Sequence, residues 1–85
     1  MPVRAEPTPN PNAMKFAVGQ SVGGPATFAA GAQTDDPVAA ELLALAGVTS
    51  VFMTADFVTV SKSADGEWET LVPSSIEILG RHFPD

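Results

Sequence analysis

The stretch VTSVFMTADFVTVSK, Val48 to Lys62, constrains the fold more than any other part of the chain. β-Branched and aromatic residues fill it, and Thr54-Ala55-Asp56 is its one weakly apolar, turn-tolerant place. It reads as two strands joined by a tight turn. With Ala55-Asp56 as the loop, Met53 faces Val58 and Val51 faces Val60, and the alternation of side chains sends all four to the core. Phe52, Phe57 and Thr59 then point outward. A three-residue loop sets Phe52 opposite Val58 instead and turns it inward, and Asp56 lacks the following glycine that the tightest turns prefer.

At 85 residues the chain is sized for one domain, with one layer packed against another as the realistic limit. Asp35-Asp36-Pro37 marks a helix start, because a carboxylate can cap free N–H groups while proline takes the first helical position, where none is needed. Val38, Leu42 and Leu45 share one face, and Gly47 tolerates the left-handed turn past a helix end, which gives a helix over 37–46. After a turn at Ser63-Ala64-Asp65-Gly66, the residues Trp68, Leu71, Val72, Ile76, Leu79 and Phe83 recur at helical spacing. Pro73 interrupts that pattern, so the spacing predicts a kink, or one turn over 67–71 followed by a fresh helix with Pro73 near its start. Upstream, Met14, Phe16 and Val18 alternate with Ala13, Lys15 and Ala17 as a strand over 13–18, and residues 26–30 around Phe28 offer another. The turn composition of Gln20 to Pro25, with Gly23 and Gly24, leads to the expectation that these two pair as a hairpin. Residues 1–12 hold four of the eight prolines and read as an extended Pro/Asn-rich arm, leaving 13–85 as a single domain. The expected fold is α+β and two-layered, a four-stranded antiparallel sheet with two helices on one face in the order ββαββα.

The open face of that sheet carries Ala13, Lys15, Ala17, Thr27, Ala29, Phe57, Thr59 and Ser61, nearly all small or uncharged. An open face is normally polar, so this one reads either as a docking surface or as alanines and threonines tolerated in water. Four basic residues stand against ten acidic ones, and a formal charge of -6 repels phosphate backbones, which excludes nucleic acid as a partner. No apolar run approaches the ~20 residues of a membrane span and the N-terminus has no signal-like segment, so no membrane partner and a cytoplasmic location are expected.

The chemistry inventory is short. There is no cysteine and a single histidine, His82, which reads as a helix-end residue favoured by the dipole; no cofactor and no metal are expected. The carboxylate pairs Asp35/Asp36 and Glu67/Glu69 read as helix starts, and Gly23-Gly24 and Gly31 lack the lysine and helix context of a phosphate loop. The chain is therefore expected not to be an enzyme. Two other readings stay open: a ligand-binding protein or small enzyme using a cleft beside Asp56 and Lys62, and a structural domain that self-associates through the open face, although a monomer is expected.

TPNPNAMKF at 8–16, LLALAGVTSVFMTADFVTVSK at 42–62 and EWETLVP at 67–73 together resemble, in order and spacing, the N-terminal domain of the Nfu family of iron–sulfur cluster scaffold proteins. The resemblance spans residues 8 to about 83. It implies a small α+β domain that, in longer members, precedes a second domain whose Cys-x-x-Cys pair holds the cluster, typically between two subunits. Clusters need thiolates and this sequence has none, so what the resemblance implies here is an interaction module for cluster assembly or delivery. Its expected partners are cysteine-bearing cluster carriers or client apoproteins. Met1 and the helix near the C-terminus fit a complete chain. The expected protein-binding residues are Asn10, Asn12 and Lys15 from the first stretch and Asp56, Phe57, Thr59 and Lys62 from the second, with Phe52 depending on the hairpin register. Phe57 supplies apolar anchoring and the others orientation and hydrogen bonds. Trp68 is assigned to the core. TPNPN by itself reads as a stiff lead-in, since Pro9 and Pro11 cannot donate to a sheet and Asn10 and Asn12 can bond their own backbone.

Overall fold

The computed structural model describes residues 3–21, 25–29 and 36–83. In chain order its elements are β1 (Arg4–Pro7), β2 (Ala13–Ala17), β3 (Ala26–Ala29), α1 (Pro37–Leu43), β4 (Val48–Thr54), β5 (Phe57–Lys62) and α2 (Trp68–His82). The central hairpin closes with the two-residue loop: Thr54 pairs with Phe57, Met53 with Val58, Phe52 with Thr59 and Val51 with Val60. Phe52 is therefore outward, and Val51, Met53, Val58 and Val60 are buried.

The fold is α+β, and among the described residues it has two helices and an antiparallel sheet of five strands, in the order β1-β2-β5-β4-β3, where four were expected. The additional strand is β1, inside the segment read as an arm. It pairs along β2 as Arg4 with Ala17, Ala5 with Phe16, Glu6 with Lys15 and Pro7 with Met14. Val3 is buried and Ala5 packs on the core while Arg4 and Glu6 face out, a two-residue period that the neighbouring prolines hid. An edge strand tolerates Pro7, because one side of it has no ladder to satisfy.

The expected pairing of 13–18 with 26–30 does not occur. β2 lies between β1 and β5, and β3 forms the far edge beside β4. Nothing in chain length forces a hairpin: residues 18–25 can reach about 26 Å at ~3.3 Å each, against about 14 Å for three strand spacings. The turn expected around Gly23 and Gly24, and Asp35, lie outside the described residues.

At α1 the sequence signals hold. The Val38 and Ala39 N–H groups donate to Asp36 Oδ1 at 2.9 and 3.2 Å, and Pro37 is the first helical residue. The helix stops at Leu43, short of Ala46, and tighter turns carry the chain through Gly47, at φ +94°, into β4. α2 corrects the expectation of a fresh helix near Pro73, since it runs unbroken from Trp68 to His82. Pro73 and Glu69 are both exposed, so the hydrogen bond that proline removes is lost on the solvent side of the helix.

The core lies between the sheet and the helices. Phe16, Val51, Val58 and Val60 from the strands meet Val38, Leu42, Leu71, Ile78 and Leu79 from α1 and α2. Ser75 of α2 is fully buried with them, and its hydroxyl has no hydrogen-bond partner.

Candidate functional site

Directly paired residues of antiparallel strands project from the same face, so the register draws the open side of the sheet. One row crosses all five strands as Glu6, Lys15, Thr59, Phe52 and Thr27. A second row runs Arg4, Ala17, Phe57 and Thr54, and a third Ala13, Ser61, Ser50 and Ala29. At 37% exposure, Phe52 is the one large apolar side chain left exposed among the described residues. Lys15 and Phe57 are diagonal neighbours on β2 and β5, and the Lys15 ammonium sits 4.5 Å from the Phe57 ring centroid, within cation–π range. Arg4 Nη2 meets Glu6 Oε2 at 3.3 Å at the rim of this face.

The seven residues expected to form the site divide between two places. Lys15, Phe57 and Thr59 share the open face, and Asp56 stands beside them at the hairpin tip, its carbonyl accepting from the Val18 N–H at 3.0 Å. Asn10, Asn12 and Lys62 gather elsewhere. Lys62 follows Ser61 in the alternation and so turns to the helix side, where its Nζ donates to Asn12 Oδ1 at 3.1 Å and to the Ser63 carbonyl at 3.3 Å. The Lys62 N–H donates to the Asn12 carbonyl at 2.8 Å. Asn10 is occupied within its own turn: its Oδ1 accepts from the Asn12 N–H at 2.9 Å, and its carbonyl accepts from the Ala13 N–H at 3.0 Å. Thr8 closes the same turn, its Oγ1 accepting from the Asn10 N–H at 3.1 Å.

Sequence reasoning missed what holds that turn to the rest of the molecule. Trp68 packs at the edge of the core rather than inside it, and its Nε1 donates to the Pro11 carbonyl at 2.9 Å. The Lys62 ammonium stands 5.7 Å from the Trp68 ring centroid. The TPNPN turn, the end of the Asp-Phe-Val-Thr-Val-Ser-Lys strand and the first residue of α2 thus form one clip. Each partner lies more than forty positions from Pro11 or Asn12, 50 for Lys62 and 57 for Trp68, so no local pattern announces the contact.

Asp56 and Lys62 bracket β5 from its two ends, roughly 20 Å apart along a strand, so they cannot share one cleft. A shallow groove of about 350 Å³ lies instead where α2 begins, lined by Gly47, Asp65, Gly66, Glu67 and Leu71 among others. The Asp65 carboxyl is held below its ordinary range, chiefly by a hydrogen bond from the Ser63 side chain. Among the described residues no three His, Cys, Asp or Glu side chains are grouped to hold a metal ion. His82 is at the end of α2 as expected and has a partner there: its Nε2 contacts Glu41 Oε2, while Arg81 Nη2 donates to Glu41 Oε1 at 2.9 Å. Glu41 titrates below its ordinary range because of the hydrogen bond with His82 above all, and then the charge of Arg81.

Residues 3–85 match the sequence profile of a family described as scaffold protein Nfu/NifU N terminal. A NifU-like protein of Schizosaccharomyces pombe is 38% identical over 86 residues, covering 95% of this chain and 33% of that protein. An iron-sulfur cluster scaffold homolog of Drosophila grimshawi is 34% identical over 85 residues, covering 95% of this chain and 28% of that protein. The crystal structure of a Staphylococcus aureus protein matches with a TM-score of 0.77 at 30% identity, covering 92% of this chain and 98% of that one. The chain spans about a third of the length of the curated relatives it matches. The Drosophila relative is mitochondrial by name, as is a NifU-like relative from Arabidopsis thaliana, and this overturns the cytoplasmic expectation. That expectation rested on the lack of an apolar segment, which carries no information about compartment. What the described residues do show is that no helix is long and apolar enough to cross a membrane.

Proposed function

The chain belongs to the Nfu/NifU N-terminal scaffold family, and from that premise we propose that it is a non-catalytic docking module for iron–sulfur cluster assembly or delivery. The observation that carries this reading is the open sheet face, where Phe52 and Phe57 stand beside Lys15 and Thr59 on a five-stranded platform. Phe52 and Phe57 supply apolar anchors, Thr59 a hydrogen-bonding hydroxyl and Lys15 a charge; Asp56 adds a polar rim. Asn10, Asn12 and Lys62 act one step back, fixing the turn that delivers β2, and with it Lys15, to the platform. The partners are cysteine-bearing cluster carriers or client apoproteins, met by a monomeric module. Clusters are held by thiolates, so with no cysteine in these 85 residues the ligands lie outside them.

Amide-shift titration of the labelled protein with a cysteine-bearing cluster carrier tests the docking claim. Shifts at Lys15, Phe52, Phe57 and Thr59 are expected; shifts confined to α1 and α2, or none, reject it. Anaerobic incubation with iron and sulfide tests the ligand claim separately, and a visible chromophore that stays with the purified chain rejects it.

A further inference from the structure

We propose that the open face receives one amphipathic α-helix of a partner protein, whose apolar stripe covers Phe52 and Phe57 and whose carboxylate, at the stripe's edge, meets Lys15. The inference rests on the docking reading of this face and adds the chemistry of the occupant.

The chain has four basic side chains against ten acidic ones. Arg4 pairs with Glu6, Arg81 pairs with Glu41, and the Lys62 ammonium is hydrogen-bonded to Asn12 and Ser63. Of these four cations Lys15 alone has, among the described residues, neither a carboxylate nor a hydrogen-bond partner, only the Phe57 ring beneath it. Its cross-strand neighbour Glu6 is turned to Arg4 instead. Where carboxylates are this plentiful, a cation left unmatched beside Phe52 and Phe57 is complementary to an anion from outside.

The shape of the face favours a helix. The backbone groups inside a sheet are committed to the ladder, so an extended peptide adds at an edge and finds nothing on a face. A face offers side chains only. Five strands span about 19 Å and a five-residue strand about 17 Å, a little over ~300 Å² of projected face. A helix about 10 Å wide covers that length in roughly 11 residues.

The probe is a pair of otherwise identical synthetic peptides of about 18 residues, long enough to be helical in water and neutral apart from one position, with a leucine stripe bordered by a single glutamate in one and a single glutamine in the other. Titrated into the full labelled chain, the glutamate peptide is expected to move the Lys15, Phe52, Phe57 and Thr59 amides and to bind roughly two- to fivefold tighter than the glutamine peptide. In Lys15→Gln that difference disappears while the spectrum keeps its dispersion, and Phe52→Ala weakens both peptides alike. Equal affinity for the two peptides on the unaltered chain, shifts confined to α1 and α2, or no shift at millimolar peptide overturns the inference. So does a dimer in sedimentation without peptide, which assigns the face to a second copy. If a cluster carrier moves the open-face amides but the two peptides bind equally, docking stands and the carboxylate-bearing helix falls. If the peptides behave as expected and no carrier binds, the helix site stands and the cluster-related function falls.

Discussion

Ala55 sits at φ +52° in the central loop, where an L side chain crowds its own carbonyl, and glycine is the residue that fits. Ala55→Gly is expected to stabilise the protein by about 0.5–1 kcal/mol, the relieved strain exceeding the entropy that glycine loses on folding, read as a higher urea midpoint at unchanged slope. Gly47 is the opposite case. At φ +94°, with Gly66 Cα 3.2 Å from where a Cβ would stand, Gly47→Ala should cost about 1–2 kcal/mol in the same assay. Ser75→Ala removes a buried hydroxyl without a partner and should raise stability by about 1 kcal/mol. Which of these positions could be read from the sequence depended on how far away the cause lay. Asp36 as a cap and a turn near Ala55-Asp56 follow from residues within a few positions, so they were legible; the length of that turn, two residues or three, was left open by the sequence and is fixed by the pairing of Thr54 with Phe57. The commitment of Asn12 to Lys62 was not legible, because an asparagine before a strand looks the same whether it bonds its own turn or a lysine fifty residues on.

At the level of elements, the hairpin and α1 followed from alternation and capping, and the errors came from elements whose reason for existing is elsewhere in the fold. β1 is short and bounded by prolines, and it is a strand because β2 offers it an edge and the core accepts Val3. β2 and β3 look like a hairpin along the chain, yet the β4–β5 hairpin separates them in space. α2 continues past Pro73 because one lost hydrogen bond on its exposed side is a smaller term than burying Leu71, Ile78 and Leu79. The two halves of the expected site were divided for a similar reason: alternation places Lys62 and Thr59 on opposite sides of β5, which sequence order conceals. The clip between the β1–β2 turn, the end of β5 and α2 yields a prediction at this scale. Trp68→Phe keeps the ring and loses the Nε1 bond to Pro11, so about 1 kcal/mol of stability should go, with faster amide exchange over Arg4–Pro7 than over β4.

For the molecule as a whole, ten acidic groups set the response to pH. Glu41 and Asp65 both titrate below their ordinary values in the folded state, Glu41 chiefly through His82 and Asp65 chiefly through Ser63. A carboxylate depressed by folding contributes stability that is present above its unfolded value and lost as pH falls through the folded one. The melting temperature is therefore expected to fall as pH drops below about 4.5, and the fall should be shallower in Glu41→Gln, which has already lost the tie between α1 and α2. The clip at Trp68 has a different consequence at this scale. Trp68 is the sole tryptophan, and its indole N–H is seated on the carbonyl that anchors the N-terminal strand. The chain thus carries its own optical gauge of that strand: if the edge lifts before the core melts, indole emission will shift to the red at a lower denaturant concentration than the helical signal is lost.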